Sequence, residues 1–167
     1  MTDSPAPETA AHVEKETLKI DVNIPEHDAR VTTELFRRTR AQVLGPDGHC
    51  WVCNRTAVES GSPLELHHYP VERSLANLVD WVLFKVQALR GDYGVGPRKF
   101  DWAKFDPADW TVFVDDMTVN GLTLCRQHHI GGDEGIHFLP HPLWIAQRFA
   151  KEGYRFNRIE IIHHPQN

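Results

Sequence analysis

Nowhere in the 167 residues does an apolar run approach the roughly 20 that a bilayer-spanning helix needs, so no membrane partner is expected. The N-terminus lacks the positive, then apolar, then small-residue order of a secretory leader. No internal repeat is present. No H-E-x-x-H run occurs, which leaves a metalloprotease-like zinc hydrolase without support. Cysteine is scarce: there are three, and an odd number argues against a framework built only of disulfides. All three, Cys50, Cys53 and Cys125, sit in short motifs with metal-ligand spacing. That predicts a reducing compartment with thiolates on zinc.

Net charge is small once the N-terminal stretch is set aside. The net charge is −5. Residues 1–30 hold seven acids and three bases, and the remaining 137 residues hold sixteen and fifteen. A nearly neutral folded part neither demands nor excludes a nucleic-acid partner, and bound divalent cations would turn it positive.

Residues 1–16 are rich in Pro, Ala and Glu and are expected to be a disordered tail; 17–167 are expected to form one domain. Leu18–Ile24 alternates like a short strand. Ala29–Leu44 is predicted helical, with Val31, Leu35 and Val43 or Leu44 on one side and Arg30, Arg37, Arg38 and Arg40 as a basic surface. Leu64–Tyr69 is predicted as a strand. Ser74–Leu89 is predicted as one amphipathic helix with Leu75, Leu78, Val79, Val82, Val86 and Leu89 packed inward. Gly91–Pro97 is a Gly-rich loop. Asp106–Asp116 is either a short capped helix with Pro107 at its first position or a strand. Gly121–Leu124 is a candidate strand. Pro142–Lys151 is a predicted helix with Leu143, Trp144, Ala146 and Phe149 inward, and Arg158–Ile162 is a closing strand.

A C-x2-C pair sets two thiolates about one tetrahedral edge apart on zinc. Cys50 and Cys53 form that pair, and Cys125 with His128 forms a C-x2-H pair of similar reach. With 71 residues between the two pairs, such a zinc would join distant parts of a larger domain in a structural role. His67, His68, His129 and His137 remain. Adjacent residues on a strand point to opposite faces, so His67 and His68 can serve different purposes. Three imidazoles around one divalent ion, with open positions, is an arrangement suited to catalysis. His12, His27, His49, His163 and His164 are read as ordinary core or surface residues. His141, at a helix start near the site, is ambiguous.

"LELHHYP", "NGLTLCRQHH" and the later "IH" together resemble the HNH (ββα-metal) endonuclease superfamily, over roughly residues 48–140. In its zinc-bearing members a C-x2-C pair comes first, a strand ends in Asp-His or His-His, and an Asn lies five residues before a Cys. Asn120 stands five residues before Cys125 and nine before His129. The resemblance implies an α+β fold: a ββα-metal core with a structural zinc, elaborated by further helices. It also implies cleavage of DNA phosphodiester bonds to 5′-phosphate and 3′-hydroxyl ends.

Residue by residue, the resemblance makes His67 a metal ligand and His68 the general base. Asn120 becomes the brace of the loop that holds the base, and His129 and His137 the remaining ligands of a catalytic ion. Departures from the pattern are plain. The last two histidines are eight apart across Gly131-Gly132, which leaves Asp133, Glu134 or His141 as alternatives to His137. The stretch between His68 and Asn120 is 51 residues long. The second zinc pair ends in His128 rather than Cys. An all-histidine site favours Mn2+, Ni2+ or Zn2+, with Mg2+ still possible. Arg73 and Arg126, next to the site, are expected to contact phosphate. The "CRQHH…GIH" form is similar to phage and prophage HNH proteins, which implies a cytoplasmic setting in an infected or lysogenic bacterium, with a phage or host protein as a possible partner. The alternative is an inactive zinc-stapled scaffold that binds nucleic acid or protein.

Overall fold

A computed structural model describes residues 31–148. Thr33 begins the order: its hydroxyl accepts from Phe36 N–H (3.1 Å) and so caps α1, Glu34–Val43. Val31 therefore lies before the helix and is exposed, and the buried residue of α1 is Thr39. The Thr39 hydroxyl accepts from Met117 N–H (3.0 Å) and the Thr33 hydroxyl donates to Asp115 (2.7 Å), which ties α1 to the segment ahead of the second strand. Arg37, Arg38 and Arg40 are exposed. A one-turn helix, α2 (Ala57–Ser60), is closed by a capping box between Thr56 and Glu59.

Among the described residues the strands are β1 (Leu64–His68) and, after the long insertion, β2 (Gly121–Cys125). They pair antiparallel, with Leu64 opposite Cys125 and His68 opposite Gly121. Between them lie a 3-10 turn over Arg73–Leu78, then α3 (Trp81–Arg90), α4 (Val95–Lys99), a second 3-10 turn over Pro107–Asp109, and α5 (Thr111–Val114). After β2 come α6 (Arg126–Ile130) and α7 (His141–Ala146). This is a small α+β fold with a two-stranded sheet and several helices.

The predicted helix over 74–89 is interrupted. Val79 is extended, and Asp80 starts a new helix by accepting from Val82 and Leu83 N–H (both 3.0 Å). The restart resets the periodicity, so α3 buries Trp81, Phe84 and Ala88 instead of the aliphatic stripe. Leu78, Val82, Val86 and Leu89 are exposed, at 61%, 73%, 50% and 48%. Large aromatic rings bury more surface than Val or Leu, and they win the core-facing side. They meet Trp102, Phe113 and Val114 in one core.

A second core packs Val52, Leu64, Leu122, Leu124 and Trp144 around Cys50 and Cys125. The 106–116 stretch is helical rather than extended, with Asp106 capping through Ala108 N–H. The C-terminal helix begins at His141 and ends at Ala146, with Trp144 buried. The expected tail, the strands at 18–24 and 158–162, and Arg30 and Phe149 lie outside the described residues.

Candidate metal centre and adjoining cleft

The turn that carries Cys50 and Cys53 is docked on the sheet. Trp51 N–H donates to Thr123 O of β2 (2.7 Å), and Asn54, left-handed at φ 56°, closes the turn with its N–H on Cys50 O (2.8 Å). Cys125 ends β2, and His128 lies in the first turn of α6. The ligand atoms of Cys50, Cys53, Cys125 and His128 all lie within 4.8 Å of one another. His128 Nδ1 is 3.6 Å from Cys50 Sγ and 3.1 Å from Cys125 Sγ. A tetrahedral zinc with ordinary bond lengths gives S···N edges of about 3.6 Å. The donor set therefore fits a metal such as zinc.

Thiol chemistry agrees. The hydrogen bond from Cys125 holds the Cys50 thiol far below its usual range. The same bond, and then burial, pushes Cys125 up, and burial pushes Cys53 up. Three crowded sulfurs support one thiolate by themselves; a divalent cation lets all three ionise. Trp144 roofs the site. Its indole N–H donates to His128 O (3.0 Å) and its ring stacks on Trp51 at 5.7 Å.

His129 follows His128 but points elsewhere, as consecutive helical residues separated by about 100° must. Its ligand atom lies within 4.8 Å of those of His67 and His137, and its Nε2 is 3.3 Å from His137 Nε2. That separation matches the N···N edge of about 3.3 Å in a tetrahedral imidazole site. The chain returns to place His137 through a tight loop: Ile136 N–H donates to His128 O (3.0 Å) and Gly135 N–H to Gly131 O (2.7 Å). A Cβ on Gly135 would sit 2.5 Å from Gly131 O, so close backbone approach is what demands glycine there.

Burial, then the neighbouring His137, His129 and His68, lowers the His67 pKa to about 4; burial and His129 lower that of His137. Burial that favours the neutral ring at His67 and His137 suits both to hold a cation. Asp133 is exposed, Glu134 is buried in a hydrogen bond from Gln127, and His141 pairs with the Trp144 ring, so among these alternatives only His137 joins the cluster.

His67, His68, His129 and His137 line one open cleft of about 860 Å3, with Glu72, Arg73 and Trp110. His68 stacks on Phe36 of α1 (5.7 Å between ring centroids). Asn120 is fully buried. It accepts from Val71 N–H (3.0 Å) and donates to Val71 O (2.9 Å) and Val114 O (3.0 Å), while its own carbonyl accepts from Tyr69 N–H (3.1 Å). It thereby clamps the turn that leaves β1 just past His68. Arg73 lines the cleft with its guanidinium against buried Asp115 and beside the Trp110 ring. Arg126 is exposed, 3.6 Å from Glu65.

Two carboxylates that the motif spacing does not single out also reach the histidines. Glu65 Oε2 is 2.5 Å from His129 Nδ1, and Glu72 Oε1 is 3.3 Å from His67 Nε2. The first had a signal: Glu65 and His67 are two apart on a strand and share a face. The second lies beyond the strand end, where no periodicity points to it.

Comparison with protein-family models, curated proteins and solved structures returned no match. Among the described residues no helix is long and apolar enough to cross a membrane.

Proposed function

We propose that the chain is a metal-dependent HNH-type (ββα-metal) endonuclease that hydrolyses DNA phosphodiester bonds, leaving 5′-phosphate and 3′-hydroxyl ends. One observation carries the reading. Three converging imidazoles open onto a cleft that also presents His68, and the turn beyond His68 is clamped by buried Asn120. A strand–strand–helix order around these residues, with a cysteine–histidine cluster on the other side of α6, supports it.

A divalent cation (Mg2+, Mn2+, Ni2+ or Zn2+) held by His67, His129 and His137 would supply positive charge to the phosphate and the departing 3′ oxygen. His68 accepts the proton of the attacking water as the new P–O bond forms. The P–O3′ bond then breaks, and the 3′ oxygen takes a proton from solvent. Asn120 keeps the base on station by fixing Val71. Phe36 restricts the ring to one plane. The partner is DNA in the cytoplasm of a phage-infected or lysogenic cell.

A second reading, a zinc-stapled module that binds without cutting, draws on the pairing of both nearby arginines with acids, Arg73 with Asp115 and Arg126 with Glu65. Plasmid nicking separates the two. Wild-type protein with added Mn2+ or Mg2+ is expected to nick, and His68→Ala to be slower by about 10²–10⁴-fold, as loss of a general base predicts. Its fold and ion binding should be intact. Plasmid binding without nicking under any of these metals would favour the module.

A further inference from the structure

We infer that Glu65 is a positioning residue that fixes the ring orientation and tautomer of His129 and so sets how tightly the three-histidine site holds its cation. The inference rests on those histidines holding a cation, as proposed above. It starts from register. Leu64 pairs with Cys125, so Glu65 lies at the end of the sheet where α6 begins, and it shares a strand face with His67. From there its Oε2 is 2.5 Å from His129 Nδ1, and its Oε1 is 3.6 Å from Arg126 Nη1.

An imidazole that donates from Nδ1 carries its lone pair on Nε2. In His129 that is the nitrogen facing His137 Nε2 at 3.3 Å. Without the carboxylate, the ring is free to rotate and to populate the other tautomer, which turns an N–H toward the cation position. Outer carboxylates of this kind typically change metal affinity by about 10–100-fold. The contact with Arg126 is different in kind. It is a surface pair with an arginine side chain 65% exposed, and such pairs contribute little by themselves. It holds the second oxygen of Glu65 and leaves the first for His129.

The test uses the full chain with the cysteine site loaded and zinc quantified throughout. Calorimetric titration with Mn2+ or Ni2+ measures the second ion, and 15N chemical shifts of the His129 ring in the ion-free protein read its tautomer. Wild type is expected to bind one equivalent, with His129 protonated on Nδ1. Glu65→Val is expected to bind about 10–100-fold more weakly, with mixed tautomers and unchanged zinc content. Glu65→Asp should recover part of the affinity, and Arg126→Ala should lose only a few-fold. If Glu65→Val folds poorly, Glu65→Gln, which keeps size and removes charge, takes its place with the same expected direction. Wild-type affinity and an unmixed Nδ1–H form in the Glu65 variants, while His137→Ala no longer binds, would overturn the positioning role alone. If His129→Ala and His137→Ala bind the ion as wild type does, the three-histidine site itself fails and the inference with it.

Discussion

Replacing Asn120 with Ala is the sharpest perturbation of the scaffold that presents the cleft. The side chain is fully buried and makes three hydrogen bonds, all to backbone: one from Val71 N–H, one to Val71 O and one to Val114 O. Alanine supplies none of them. The N–H of Val71 would be left without its acceptor, at about 1–3 kcal/mol, and two carbonyls would each lose a donor worth about 1 kcal/mol. The expected loss is therefore about 3–5 kcal/mol, a large share of the stability of an ordinary domain. For a chain of this size that is a fall in Tm of about 10 °C. Asn120→Asp should be no better, because it keeps the acceptor for Val71 N–H but sets a carboxylate against two carbonyl oxygens. Urea unfolding at constant free zinc measures the effect, and nicking of plasmid at a temperature where the variant is folded tests the turn beyond His68. A loss below about 1 kcal/mol with an unchanged m-value would refute the claim that Asn120 clamps this turn.

Cys53→Ser and His128→Ala should each lose the zinc, bound at one per chain in the wild type, and lose soluble folded protein with it; a well-folded, zinc-free variant by metal analysis and circular dichroism would contradict a structural role. His129→Ala, one residue away, should keep zinc and lose nicking. Mild chelation should stop nicking while zinc stays bound, and added Mn2+ or Mg2+ should restore it; simultaneous loss of both ions would show one site or two of equal affinity. The pH dependence follows from burial of His67 in its neutral form. Its folded pKa of about 4 lies below the unfolded value near 6.5, so the unfolded chain takes up the proton first. With the histidine site ion-free, stability should fall as pH drops from about 6.5 to 4, by on the order of 3 kcal/mol, and His67→Gln should flatten that slope in urea titrations at stepped pH.

Much of the candidate site was legible from spacing. Cys50 and Cys53, or Cys125 and His128, are close because a turn or the first turn of a helix makes them so, whatever the rest of the chain does. Leu64–Tyr69 and Gly121–Leu124 read as strands, and both form, but their antiparallel pairing across the long insertion is a matter of tertiary structure. The aliphatic stripe of 74–89 misled because periodicity assumes an unbroken helix. Asp80 caps a new one, and the aromatic rings of Trp81 and Phe84 outcompete the Leu and Val faces for burial.

Local chemistry written in consecutive residues was thus determined by the sequence alone: the ligand pairs, the Asp106 cap, the split between His128 and His129. What only the tertiary structure decided were meetings across long separations. These are the return of His137 over the glycine loop, the two side-chain hydrogen bonds of Asn120 to Val71, 49 residues earlier, and the reach of Glu65 to a histidine 64 residues later. Spacing along a chain constrains only neighbours within a turn or two. Which distant side chains share a cleft depends on strand register and on the packing of two separate cores, and those are settled by the summed burial of the whole domain rather than by any one motif.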